Sequence, residues 1–497
     1  MALAVVVMSG GDARAGTAVV MGGGLAGIAA ALRLAEAGVT VTLIETRRRL
    51  GGRATSFEQR DAEQTVDNCQ HVLLGCCTNL IDLYERLGVA DLIEWHDRLH
   101  FFDKAGTHDV MKADGLPAPL HLMRSLRGFG TLSRAEKQAI GRAMWAIMRA
   151  GESGREAAAG RSFGDWLREH GQPARAVERF WAVILISALN QTPDRSSAKY
   201  AMQVFQDGFL AHRRAWGMGV SSVPLVRLYD AAGGAIESRG GRVMLGCSID
   251  GIEFDGTDVS GVRVGDGSVV RGDAYVSALP FDRLDRVVSD ELRAADARLA
   301  RLDEFEVSPI LGIHLWFEGE VTDRAHLVFV DSPLQWAFNK GVDAATGQQY
   351  LHGVISAADD WVGEPAEVIT AMAMRELAAY VPAAGEAVRL VRSRVIKEKR
   401  ATFSPSPGVD ALRPPPGPPG PAAPPEVPAE LAGAAQNSRA EGVGNLYLAG
   451  DWCDTGWPAT MEGAVRSGYA AAGVVCGESL LIDDLKPGWV YRMLRGR

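Results

Sequence analysis

The sequence predicts an α/β protein of two or three folding units, and three observations carry that expectation. A chain of 497 residues exceeds one small core, since a folding unit usually takes roughly 100 to 200 residues. Residues 17–45 read as strand, glycine turn, helix and strand. Residues 241–280 read as strand-like runs alternating with Gly and Asp turns.

Hydrophobic residues make up 47% of the chain and charged residues 23%, the balance of an ordinary globular protein. A net charge of -9 argues against nucleic acid, whose binding draws on a basic surface. No apolar run reaches the roughly 18 residues needed to span a bilayer. "MALAVVVM" is short, lacks a basic flank and runs into "SGGDARAG", so we expect no secretory signal and read residues 1–16 as a loose extension. Six cysteines in so long a chain make no disulfide scaffold, and a cytoplasmic setting is the expectation.

The first unit begins with "TAVVMGGGLAGIAAALRLAEAGVTVTLIE", residues 17–45. Gly22, Gly24 and Gly27 have G-x-G-x-x-G spacing between a β-branched strand and an alanine-rich helix. That spacing allows a tight turn, close backbone approach to a pyrophosphate and tight helix-to-strand packing. The helix N-terminus adds unpaired N–H groups and positive dipole where a diphosphate would lie. Glu45 ends the second strand, placed to accept hydrogen bonds from a ribose. A dinucleotide site follows, with NAD or FAD left open by these residues alone.

"ETRRRLGGRATSF" at 45–57 and "NLYLAGDWCDTGWPATMEGAVRSGYAAAGVV" at 445–475 resemble the two-part signature of the amine oxidase, protoporphyrinogen oxidase and carotenoid desaturase superfamily of FAD enzymes. The resemblance implies a discontinuous Rossmann-type FAD-binding domain. It assigns the ribose to Glu45, and flavin or phosphate contacts to Arg47, Gly51, Gly52 and Arg53. It brings Gly450 and Asp451 to the ribityl or diphosphate portion, and the first residues of the last long helix, Thr460, Met461 and Glu462, to the flavin. It also implies an adenine contact near Ile249.

The expected order is FAD-binding segments at 17–77, 221–290 and 431–482. Between them lie a helical cap at 78–220 and a mostly antiparallel substrate-domain sheet at 291–403. A proline-rich surface loop at 404–430 and a tail at 483–497 complete the chain. Within 291–403 the aromatic residues Trp316, Phe317, Phe329, Trp336 and Phe338 are expected to floor a hydrophobic tunnel on one sheet face.

"VDNCQHVLLGC", "ALNQTPDRSSAKYAMQVFQDGFL", "SPILGIHLWFEG" and "LAGDWCDTGWPATMEGAVRSG" together resemble the hydroxysqualene dehydroxylase branch of the superfamily. That implies reductive loss of a hydroxyl from hydroxysqualene to give squalene for hopanoid synthesis, with an unidentified electron donor. A long isoprenoid substrate further implies peripheral contact with the inner membrane face, for which "PLHLMRSLRGFGTL" at 119–132 is a candidate helix. A carotenoid-type desaturase is the oxidative alternative, and a flavin-free, prenyl-binding carrier similar to Rab GDP-dissociation inhibitors is the alternative of another class.

Hydroxide is a poor leaving group, so a proton donor is expected beside it. In "TVDNCQHVLLGCC", residues 65–77, His71 and Asp67 are the catalytic candidates, because the resemblance brings this segment toward the flavin. Cys69 stands where the pattern leads us to expect glycine, which predicts crowding of the ring, and Cys453 stands in place of threonine. The spacing of Cys69, Cys76 and Cys77 lacks a C-x-x-C pair, so no metal site is expected.

Overall fold

A computed structural model describes residues 16–59, 64–381, 388–418 and 442–496. The extension at 1–15 and the proline segment from 419 onward lie outside the described residues.

A five-stranded parallel sheet anchors the nucleotide-binding unit, in the order Arg242–Leu245, Thr40–Glu45, Thr17–Met21, Ala274–Ser277 and Leu446–Leu448. Strands from three separated parts of the chain therefore share one sheet. Val20, Leu43 and Val276 are fully buried within it. The helix Leu25–Glu36 packs on the sheet with ten buried residues, six of them alanine or glycine. Those small side chains admit the helix Met461–Cys476 as a close neighbour. A short antiparallel sheet of Ile249–Phe254, Val259–Val264 and Val269–Val270 accounts for the middle of the 241–280 strand pattern.

The second unit is built on a seven-stranded sheet, in the order Arg389–Phe403, Val307–Glu318, Gln348–Ser356, Trp336–Val342, His326–Phe329, Arg98–Phe102 and His108–Lys112. All pairs are antiparallel except His326–Phe329 against Arg98–Phe102. Alternation along Val307–Glu318 sends Leu311, Ile313, Leu315 and Phe317 to one face. The helix Ala366–Tyr380 covers that face through Ile369, Met372 and Leu377. Ile310, His314 and Trp316 turn to the other face. The aromatic tunnel floor is thus half right: Trp336 and Phe338 line the cavity, whereas Phe317 and Phe329 sit in the core under the helix. Trp316 stacks on Tyr350 at 4.7 Å between centroids and does not reach the cavity.

The 78–220 segment is not wholly helical. Ile93–His96, Arg98–Phe102, His108–Lys112 and Met218–Ser221 are strands, too short and too rich in His, Arg and Asp for their alternation to stand out. Helices Arg134–Ala157, Phe163–Glu169, Ala182–Leu189 and Ala198–Phe205 form the cap proper. The long helix starts with a capping box, Ser133 accepting from Glu136 N–H and Glu136 accepting from Ser133 N–H.

The described part of the proline segment is not a solvent-facing loop. Pro405 O accepts from Ser197 N–H at 2.7 Å and Pro416 O from Leu448 N–H at 2.8 Å. Arg413, buried, donates to the Asp451 carbonyl at 3.1 Å and bonds the Cys453 carbonyl and the Tyr200 hydroxyl. Proline has no N–H to leave unpaired in such a crossing, but its carbonyl still accepts.

Candidate active site

One cavity of about 810 Å³ joins the two units. On the nucleotide side its walls are the residues just past the carboxyl ends of the parallel strands: Gly22 and Gly24, Glu45 to Arg47, Ser248, Ala278, and Gly450 with Asp451. That is where an open α/β sheet leaves a crevice for a ligand.

The residues there fit FAD. Glu45 is held by Gly23 N–H on Oε2 and Arg47 N–H on Oε1, both at 2.7 Å, which fixes its carboxylate at the cavity wall. Gly52 has φ of 59°, and a Cβ on it would lie 2.8 Å from the Gly24 Cα. The two glycine turns therefore touch, and any side chain at 52 would push against the Gly24 backbone. Arg47 Nη1 donates to the Gly52 carbonyl at 2.7 Å. Arg53 pairs with Asp451 from the far end of the chain and donates to the Ala401 carbonyl at 3.0 Å. Thr460 caps the last long helix, accepting from Gly463 N–H at 3.0 Å, and leaves its first turn toward the cavity.

Of the expected cofactor residues, Gly22, Gly24, Glu45, Arg47, Gly52, Arg53, Ile249, Gly450, Asp451, Thr460 and Met461 line the cavity. Three do not. A Cβ on Gly27 would sit 1.8 Å from the Gly22 carbonyl oxygen, so Gly27 serves helix-to-turn packing. Gly51 donates its N–H to the Gly23 carbonyl at 2.9 Å and acts through the turn. Glu462 points away from the cavity: its carboxylate accepts from Asn79 N–H, Asn79 Nδ2, Leu80 N–H and Arg466 Nε. It caps the neighbouring helix Thr78–Arg86 and binds the two helices together.

The cavity continues into an apolar compartment lined by Leu99, Phe101, Val183, Phe209, Met218, Trp336, Phe338 and Val354. Trp336 Nε1 donates to Ser187 Oγ at 2.7 Å, which fixes the indole in the wall. Asn68, Gln70, His71 and Glu398 form one polar group on the lining, and Ser187, Asn190, Ser356 and Thr402 add further polar side chains.

Their segment is the one that held the catalytic candidates. Asp67 does not line the cavity. Its carboxylate accepts from Ser56 Oγ at 2.7 Å and Leu225 N–H at 2.9 Å, with Lys340 Nζ 4.0 Å away. It is a buried anchor behind the loop. His71 does line the cavity. Its Nδ1 lies 3.0 Å from the Cys69 carbonyl; a carbonyl only accepts, so Nδ1 carries the proton and Nε2 is left for the cavity. Burial pushes the imidazole below its ordinary pKa, while the Cys69 carbonyl, Asp67 and Glu398 pull the other way. The resting ring is neutral at pH 7.

Cys69 lines the cavity, and its backbone is outside the positive-φ region that would call for glycine. Its buried thiol is pushed up to about 12, chiefly by desolvation, so it is a small neutral lining group. Gln70 Nε2 donates to the His71 carbonyl at 3.0 Å, and its Oε1 is buried without a partner. Behind His71, the backbone passes Gly312 so closely that a Cβ there would lie 2.7 Å from the Asn68 carbonyl. Cys453 is buried and its pKa is raised by desolvation. Among the described residues no group of three or more His, Cys, Asp or Glu is arranged to hold a metal ion.

Sequence reasoning missed Glu398, Asn68, Arg283 and Arg286. Glu398 accepts from Asn68 Nδ2 at 3.1 Å, and Asn68 Nδ2 also donates to the Arg53 carbonyl at 2.7 Å. Arg283 and Arg286 line the cavity beside Ile249. Their three-residue spacing on the helix Phe281–Val287, just after a parallel strand, was a usable signal for one shared face.

The family model for flavin containing amine oxidoreductases matches residues 25–476. A 15-cis-phytoene desaturase from Synechococcus elongatus is 27% identical over 473 residues, covering 91% of this chain and 94% of its own. A hydroxysqualene dehydroxylase from Rhodopseudomonas palustris is 28% identical over 468 residues, covering 92% of this chain and 97% of its own. The solved structure of an oxidoreductase from Methanosarcina mazei shares the fold, with a TM-score of 0.66 at 15% identity over 91% of this chain and 98% of that one. The chain belongs to the flavin containing amine oxidoreductase family, and its cofactor is FAD.

Proposed function

We propose that this FAD enzyme acts on a long apolar isoprenoid by removing the hydroxyl of hydroxysqualene reductively, giving squalene. The observation that carries this reading is the polar set at the edge of an apolar compartment: His71 Nε2, the unpartnered Gln70 Oε1 and Glu398. A hydrocarbon polyene offers such groups nothing, whereas an alcohol offers a donor hydrogen and acceptor lone pairs.

Bound FAD, once reduced, supplies the hydride that replaces the hydroxyl. The chain's own part is to hold and protonate the departing oxygen. Neutral His71 accepts from the substrate hydroxyl at Nε2. Once Nε2 has taken up a proton from solvent before the site closes over substrate, it donates that proton to the substrate oxygen, which leaves as water as the hydride arrives at carbon. Glu398 and Asp67 favour the charged ring. The apolar walls keep out water that would trap an allylic cation.

The similarity to 15-cis-phytoene desaturase favours a second reading, oxidation of a polyene in the same compartment. Incubating photoreduced holoenzyme with hydroxysqualene, and oxidised holoenzyme with phytoene, separates the two. Squalene from the first and nothing from the second is expected; desaturated phytoene without squalene would overturn the proposal.

A further inference from the structure

Among the described residues no helix is long and apolar enough to cross a membrane, yet large apolar side chains stand exposed at one place among arginines. On the C-terminal helix Trp489–Arg495, Trp489 and Met493 are 66% and 63% exposed. Their four-residue spacing puts them on one face with Arg492. The opposite side of this helix is anchored, Tyr491 packing on Met148 and Ala211. The long helix Arg134–Ala157 runs beside it, with Arg149 Nη1 donating to the Leu494 carbonyl at 3.4 Å. Arg142, Trp145 and Arg149 are exposed along that helix at spacings of three and four. Lys137 Nζ donates to the Arg127 carbonyl at 2.9 Å, which joins the exposed Arg124 and Arg127 to the same surface.

Acidic side chains do little to neutralise it. Asp114 offsets Arg124 at 3.6 Å, whereas Glu136 and Glu156 pair with Arg175 and Lys199, which leaves Arg127, Arg142, Arg149 and Arg492 as the exposed cations of the surface. Glu152, exposed next to the kink at Gly151 where Arg495 approaches, is one acid at the edge of the surface. A local excess of arginine in a chain of net charge -9, with tryptophan and methionine interleaved, matches the boundary between anionic headgroups and acyl chains. Nucleic acid would select the arginines but not the exposed Met493. The surface also adjoins the substrate compartment: Phe209 lines the cavity, and two residues on, the Ala211 carbonyl accepts from Gly488 N–H at 2.8 Å.

We propose that this surface, Trp489, Arg492 and Met493 with Arg142, Trp145 and Arg149, docks the enzyme on an anionic lipid bilayer beside the Phe209 wall of the cavity. The proposal rests on the apolar-substrate reading for its purpose, but the docking is a property of the surface alone.

Co-sedimentation of holoenzyme with substrate-free vesicles tests it. Vesicles of phosphatidylcholine with phosphatidylglycerol are expected to bind roughly tenfold or more tighter than phosphatidylcholine alone, and less tightly in high salt. The double variant Trp489→Ser, Met493→Ser, and separately Arg142→Glu with Arg492→Glu, should weaken binding by about tenfold or more. FAD absorbance and turnover of detergent-dispersed substrate should stay unchanged, which separates lost docking from lost folding. Wild-type protein left in the supernatant with both vesicle types, or variants that pellet like wild type, would overturn the proposal. So would retention on tRNA without vesicle binding, or a dimer in solution that the Trp489 and Met493 changes dissociate. Because the vesicles hold no substrate, failure of hydroxysqualene turnover leaves this result standing.

Discussion

His71 concentrates the chemistry at the residue scale. Its type was legible in "DNCQH", and its role depends on what the loop does with Nδ1. Because Nδ1 is committed to the Cys69 carbonyl, only Nε2 can exchange a proton with substrate. Replacing His71 with Gln is expected to lower kcat by about 10²-fold or more with FAD content unchanged; equal kcat in stopped-flow assays would remove it from the reaction. The pH profile follows from the sign of the shift. A general acid must be protonated, and burial lowers the His71 pKa, so kcat should rise as pH falls through a value below the ordinary histidine range. Glu398→Gln removes a charge that favours imidazolium, and that limb should move to lower pH. An unmoved limb would show that Glu398 does not act on His71. Asp67 looked equivalent to His71 in sequence. Nothing local distinguishes a carboxylate aimed at a ligand from one that anchors Ser56 and Leu225, because those partners lie 11 and 158 positions away.

At the scale of elements, the strands expected within 291–403 were legible because their side chains alternate. Which face an aromatic residue takes was harder, since assigning Phe317 and Phe329 to the tunnel ignored the period of two that separates Phe317 from Trp316. Glu398 escaped notice because "VIKEKR" reads as a charged edge strand, and Arg389–Phe403 is indeed at the sheet edge. Glu462 shows the reverse error, a helix N-terminal acid read as a flavin contact but engaged in capping another helix. Glu462→Ala should cost about 3 kcal/mol, the low end for a broken buried pair because Arg466 keeps Asp484. Chemical denaturation would measure it, and a loss under about 0.5 kcal/mol would contradict the capping role. Gly52→Ala should cost about 1 to 3 kcal/mol through its positive φ and lower FAD occupancy, read from the flavin-to-protein absorbance ratio; full occupancy would show that the glycine turns do not shape the cradle.

Across the whole molecule, the cofactor crevice is assembled from chain segments on both sides of the substrate unit, and Arg53 with Asp451 ties them together. The two glycine-bearing signatures made this much legible in the sequence. What they did not reveal is that the apolar compartment and the nucleotide-side crevice are one continuous space, because much of its wall comes from Leu99, Val183, Phe209 and Met218, each unremarkable in its own stretch. Its most direct test is an anaerobic single turnover: photoreduced holoenzyme mixed with hydroxysqualene, flavin reoxidation followed by absorbance, and products identified by mass spectrometry. Squalene formed in equal amount to the flavin reoxidised is the expected result; flavin that stays reduced over unchanged hydroxysqualene would contradict the proposed reaction.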